Sequence, residues 1–216
     1  MMPLPPIVLD KVIDVSHNNG KIDWVAVAAA GIVLAFIKAT EGKTFVDPMF
    51  AANYAQAEKA GVLVVPYHFL DPHDTDAQAQ RFAKTAALAP GVPAMIDWET
   101  AETTPDAEAF TKTVADIIKR DPVEYYGFSK LAAADPVISG LPLMLPAYPK
   151  GTSGAGGTYA SLVSRPPRLP PGRSSYEFHQ YTPVGRCPGI VGNVDRSVWV
   201  GTEAQLRSWH ATGALP

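Results

Sequence analysis

A single cysteine, Cys187, stands in 216 residues, so the chain cannot carry an internal disulfide framework. That thiol lies in Arg186-Cys-Pro-Gly189, a turn-like segment, which favours a structural role over a nucleophilic one. Positive charge is not in excess: 18 Lys and Arg face 21 Asp and Glu, giving a net charge of -3. With a pI near 5.9 there is no basic field to attract nucleic acid, nor bulk charge to recognise a substrate. No segment approaches the roughly 18 consecutive apolar residues of a membrane span. The first ten residues lack both a basic start and a long apolar stretch. These absences predict a chain made in the cytosol with no export signal of its own and no membrane partner. No Gly-rich phosphate loop follows any candidate strand, which disfavours an open doubly wound sheet, and there is no internal repeat. His17, His68 and His179 invite a metal reading with Asp14 and Asp97, but they lack a tight ligand spacing such as H-E-x-x-H. No metal or cofactor is expected.

What the chain does have is apolar material, 47% of it, with 18% charged residues, enough for a sizeable core. Residues 92–99 read Val-Pro-Ala-Met-Ile-Asp-Trp-Glu, an apolar run ending in two carboxylates around one tryptophan. Such a run describes a strand buried on both faces. Alternation then points Asp97 and Glu99 the same way, with α-carbons roughly 6.6 Å apart at about 3.3 Å per residue. Acidic residues are seldom buried without a partner or a task. The pair has the elements of an acid/base site acting on a sugar, although two solvated loop residues after a strand would read the same.

The first half alternates strand and helix. Strands are predicted over 11–15, 32–38, 62–69, 92–99 and 123–128. Helices are predicted over 24–30, from Asp47-Pro48 to Gly61, from Asp74, from Thr104-Pro105, and near Ser129–Ala134. Extended segments at 143–148, 176–181 and 190–199 and a helix over 203–210 complete the chain. About eight strands in this alternation argue for a parallel sheet closed into an α/β barrel, whose chemistry sits at the C-terminal strand ends. Asp97, Glu99 and Asp14 lie at such ends. We expect one catalytic domain over 1–216, with residues 1–10 an N-terminal extension and 149–175 a long Gly/Pro-rich loop.

Several segments, in order, resemble the glycoside hydrolase family 25 lysozymes, the Chalaropsis-type muramidases. They are Val12-Ile-Asp-Val-Ser-His-Asn-Asn-Gly20 with Ile22-Asp-Trp24, Phe36-Ile-Lys-Ala-Thr-Glu-Gly42, Phe45-Val-Asp-Pro48 and Tyr67-His-Phe69. Asp97-Trp-Glu99, His179-Gln-Tyr181 and Gly189-Ile-Val-Gly-Asn-Val-Asp-Arg196 follow. The resemblance implies a flattened TIM-like barrel with five strand-helix units and three further strands. It also implies cleavage of the β-1,4 bond between N-acetylmuramic acid and N-acetylglucosamine in bacterial peptidoglycan, with net retention. By resemblance Glu99 is the general acid, its pKa raised by a neighbouring charge and an apolar setting. Asp97 stays ionised and orients the N-acetyl group or acts as nucleophile, while Asp14 and Asp195 add stabilising negative charge.

Tyr67, Trp98, Tyr126 and Tyr181 fall at or beside strand ends, where rings could stack on sugars or fill the core. Glu41 either adds a carboxylate to the cleft or pairs with Lys38, and Gln180 hydrogen-bonds near the cleft or holds a strand end. One departure is that family members often carry a tryptophan in the strand corresponding to Leu143–Tyr148, where this chain has Met144 and Leu145. The missing signal favours an endolysin over a bacterial lytic enzyme, a monomer that reaches the cell wall by lysis or non-classical export. The competing functions are a non-catalytic peptidoglycan-binding barrel and a metal-dependent amidase or deacetylase.

Overall fold

The computed structural model describes residues 7–99, 104–127, 140–149 and 157–216. Strand β1 (Val8–Val15) leads through a single turn at His17–Asn19 to α1 (Trp24–Ala29). β2 (Leu34–Glu41) and the two-residue β3 (Phe45–Val46) precede α2 (Phe50–Lys59). Next come β4 (Leu63–Phe69), α3 (Thr75–Thr85), β5 (Met95–Trp98), α4 (Thr104–Ile118) and β6 (Val123–Tyr126). The chain ends with β7 (Leu143–Pro146), α5 (Tyr159–Leu162), β8 (Phe178–Gly185), β9 (Val194–Val200) and α6 (Glu203–Thr212).

Parallel pairing runs β1–β2–β4–β5–β6–β7–β8. β9 then lies antiparallel between β8 and β1 and closes an eight-strand barrel, with β3 folded back as a hairpin on β2. Four strand-helix units fall among the described residues; the helix expected near Ser129–Ala134 lies outside them. This is the TIM-like α/β barrel that the alternation predicts.

Three boundaries differ from the sequence reading. β1 starts at Val8, because Val8 and Leu9 pair with Val200 and Trp199, so residues 8–10 belong to the barrel. The middle of the 149–175 segment is packed: α5 buries Tyr159, with Val163 just after it, against Tyr181 and Val198. α2 begins at Phe50, later than Asp47-Pro48 implies. Asp47 accepts the Met49 N–H at 2.9 Å and braces the preceding turn.

Side chains alternate in and out of the barrel wall. Ile13, Ile37, Ile96 and Leu145 face the helices, packing with Phe82, Phe110 and Val114. Val12, Phe36, Val65, Met95, Val123, Met144, Phe178 and Trp199 fill the barrel itself. α6 plugs the end where the parallel strands begin: Trp209 meets Phe178 and Trp199 at centroid distances of 5.5 and 5.7 Å. A capping box at Thr202 starts α6 and Gly213, left-handed at φ 83°, stops it. Arg120 ties it down, donating to the Trp209 and His210 carbonyls at 2.9 Å each.

Candidate active site

Two residues beyond that apolar layer, the same inward faces turn polar. Val12 is followed by Asp14, Phe36 by Lys38, Val65 by Tyr67, Met95 by Asp97, Val123 by Tyr125 and Phe178 by Gln180. Asp14 pairs with Asp195 across the β1–β9 seam, and Asp97 with Tyr125 across β5–β6. The register therefore brings Asp14, Asp97 and Asp195 together at the C-terminal mouth, with Glu99 just past the end of β5.

Asp14 is held from one side. Gln180 Nε2 donates to both of its carboxylate oxygens at 3.0 Å. Gln180 Oε1 in turn accepts from the Tyr125 hydroxyl at 3.1 Å and from the Tyr148 hydroxyl. A hydrogen bond between Asp14 and Asp195 requires a shared proton, and burial pushes both carboxyls above the ordinary range. Asp14, Tyr67 and Asp195 line a cleft of about 330 Å³ with Asn18, Asn193 and Val191. Tyr67 is half-buried there, and burial plus the surrounding carboxylates raises its hydroxyl pKa.

Asp97 is buried and its Oδ1 has no hydrogen-bond partner among the described residues. Desolvation, then the charges of Glu99 and Asp14, hold its pKa well above the usual carboxylate value, partly offset by Lys38. Glu99 is exposed at the rim, and partial desolvation raises its pKa against the pull of Lys38. In the free protein the larger rise thus falls on Asp97, not on Glu99. The expected rise at Glu99 is present, and a larger one falls on Asp97, because Asp97 points into the barrel while Glu99 is exposed at its rim.

Glu41 pairs with Lys38, and its charge also reaches Asp97. The Lys38 ammonium sits 4.8 Å from the Phe69 ring centroid. Of the two readings of Glu41, the pairing with Lys38 is the one seen, at the edge of the acidic mouth.

Three predicted ring contacts are corrected. Trp98 and Tyr126 alternate outwards from Asp97 and Tyr125, and pack edge to face at 5.3 Å in the layer under the helices. Both are 1% exposed, so neither reaches a sugar. Tyr181 is fully buried outside the barrel, stacked edge-on to Tyr159 with its hydroxyl donating to Asp10 at 2.9 Å. Tyr125 and Tyr148, which the sequence reading passed over, take the positions at the mouth. The signal for Tyr125 was its two-residue offset from Val123. The three histidines do not converge. His17 bonds Asp47, His68 lies between Thr40 and Gln78, and His179 bonds the Ala147 carbonyl.

Gly127 was also missed. A Cβ there would lie 2.3 Å from Glu99 Cβ and 2.6 Å from its Cα, so only glycine lets β6 run this close beneath Glu99. Its N–H donates to the Trp98 carbonyl at 3.0 Å, which fixes the peptide entering Glu99.

Comparison with known proteins gives this acidic mouth its context. Residues 13–190 match the profile of Glycosyl hydrolases family 25. The chain is 31% identical over 215 residues to Lysozyme M1 of Streptomyces globisporus, an alignment covering 90% of this chain and 69% of that one. Its fold is similar to the lysozyme from Streptomyces coelicolor, with a TM-score of 0.76, 29% identity, and 93% and 96% of the two chains covered. The muramidase from Acremonium alcalophilum gives a TM-score of 0.73 at 25% identity, covering 94% of this chain and 98% of that one. Barrel, motif order and relatives agree, and the chain belongs to family 25 of the glycosyl hydrolases.

Proposed function

We propose that the chain is an N-acetylmuramidase that hydrolyses the β-1,4 bond between N-acetylmuramic acid and N-acetylglucosamine, with net retention. It would act as one catalytic domain and a monomer. The observation that carries the mechanism is the contrast between two carboxyls two residues apart. Glu99 stands at the open rim, where a glycosidic oxygen can reach it. Asp97 lies buried behind it with one oxygen unpartnered.

An acetamido N–H donated to Asp97 Oδ1 would satisfy that oxygen and favour its ionised form. The acetamido carbonyl, oriented by that bond, can then attack the anomeric carbon as the C–O bond breaks. This is the substrate-assisted exception among retaining enzymes; direct attack by Asp97 is the alternative route to the same stereochemistry. A sugar covering Glu99 removes water from it, which keeps its proton on until the leaving oxygen takes it. Glu99 then deprotonates the incoming water. Asp14, held by Gln180, shares a proton with Asp195, and the pair places one negative charge near the oxocarbenium-like state. Tyr67, at the cleft wall, offers a ring face to the sugar.

The test is mass spectrometry of borohydride-reduced products from purified peptidoglycan, with wild type, Glu99→Gln and an EDTA control. The expected result is reduced muramitol ends with wild type, persistence in EDTA, and a rate loss of at least about 100-fold in Glu99→Gln. Intact glycan strands would overturn the reading in favour of a binding barrel. Released peptides or acetate would favour an amidase or deacetylase.

A further inference from the structure

Beside the catalytic cleft a second, larger depression of about 770 Å³ runs down the outer wall of the barrel. Its floor is the α1 tryptophan Trp24, whose indole Nε1 donates to Asn53 Oδ1 at 3.2 Å, together with the buried Ile190. Val25 and Val191 stand on its walls, 75% and 87% exposed. Lys21 enters from the turn before α1 and Lys59 from the end of α2. Val191 also lines the smaller cleft around Asp14 and Asp195, so the two depressions meet at one side chain.

The groove is built rather than incidental. The Asp23 N–H donates to the Gly189 carbonyl at 2.9 Å, fastening the loop before β9 onto the start of α1. Gly189 has φ +91°, and a Cβ there would lie 2.3 Å from the Asp23 carbonyl oxygen, so the wall needs glycine twice over. Asp23, the acidic group in the groove, caps α1 through one oxygen, Oδ1 accepting from the Val25 and Ala26 N–H groups, so its single charge is directed at the helix start and faces two lysines. Neither Lys21 nor Lys59 is in an ion pair among the described residues. Two free ammonium groups therefore flank an apolar trough in a chain whose net charge is -3.

We propose that this groove binds the stem peptide carried by the muramic acid, and so sets a preference for peptide-bearing over bare glycan. The proposal rests on the muramidase reading for its ligand. The stem peptide is short, rich in alanine methyls and carries free carboxylates. Val25 and Val191 suit the methyls, and Lys21 and Lys59 suit the carboxylates. The peptide leaves the strand at the lactyl group of a bound sugar, and Val191 marks where the groove leaves the cleft. Exposed ammonium–carboxylate contacts are individually weak, so discrimination comes from two of them acting with apolar contact.

The experiment measures binding of a tetrasaccharide with and without its stem peptides to Glu99→Gln protein, by calorimetry at low salt. We expect the peptide-bearing form to bind about fivefold tighter or better. The added substitutions Lys21→Glu and Lys59→Glu should bring the ratio close to one and leave affinity for the bare tetrasaccharide unchanged. Both lysines are exposed, so the variant's fold is checked simply by its unchanged Tm. A ratio near one before the lysines are changed, or a ratio that survives their reversal, would overturn the groove assignment. A parallel cleavage assay with wild type on both substrates separates the two claims. Cleavage of neither would count against the muramidase reading, while the binding ratio would still decide the groove.

Discussion

The two ends of the barrel are built from the same strands and obey opposite rules. At the closed end Phe178, Trp199 and Trp209 interlock and Arg120 donates to the last carbonyls of α6, so tight apolar contact dominates, even though the indole N–H groups of Trp199 and Trp209 and Arg120 Nε find no partner among the described residues. At the open end, two residues along the same faces, Asp14, Asp97 and Asp195 are crowded together and one Asp97 oxygen is left unsatisfied. An orphaned buried acceptor costs on the order of 1–3 kcal/mol. The comparison teaches that unpaired indole N–H groups are tolerated inside tight aromatic contact at the closed end, whereas the open end holds ionisable carboxyls out of water at a cost in stability.

Breaking the closed end should unfold the protein without touching its chemistry. Trp209→Ala is expected to lose about 3–5 kcal/mol of unfolding free energy, read by urea denaturation. The rate per folded molecule should stay within twofold of wild type, a bound set by the distance of Trp209 from the mouth. Breaking the open end should do the reverse. Gly127→Ala pushes directly on the Glu99 backbone, and kcat is expected to fall about 10- to 100-fold with a smaller change in KM. A retained kcat would mean that Glu99 is not held in place from below.

The smallest expected effect is also the one that reads the charge balance. Burial and the neighbouring Asp14 push the folded pKa of Asp195 up to about 9, far above the ordinary carboxylate range. The folded state therefore keeps a proton that the unfolded state releases, and stability falls as pH rises through the interval between the two values. His68 and His179, held down to about 4 by burial, act the other way, losing stability as pH falls below 6.5. The difference between Asp195→Asn and wild type isolates the carboxyl. Across a Tm series from about pH 4 to 8, the variant should lose less stability on the alkaline side. An unchanged slope would remove the proton-sharing pair.

The same contrast governs how much could be read in the sequence. Strand-helix alternation and the abrupt end of 92–99 in Asp-Trp-Glu were enough to place a barrel and a carboxylate-bearing strand end. The face of a strand was harder. In Val123–Tyr126 all four residues are buried, so no polar alternation reveals which side faces the barrel, and Tyr126 was preferred where Tyr125 lies inward. Trp98 follows the inward Asp97 on β5 and must therefore face the helices, a consequence of the alternation that a stacking role overlooks. Tyr181 failed for a different reason. Its partners Tyr159 and Asp10 come from segments read as loop and extension. The close approach of Gly127 to Glu99 depends on the β5–β6 register, which no single segment encodes.

The most direct test of the exchange between stability and chemistry is Asp97→Asn, measured for kcat and Tm in the same buffer at neutral pH. The side chain keeps its shape and loses its charge. The account predicts a rate loss of at least about 100-fold together with an equal or higher Tm, because a buried carboxyl has been relieved of its ionisation. A lower Tm with the rate preserved would contradict it and make Asp97 a structural residue of the barrel mouth.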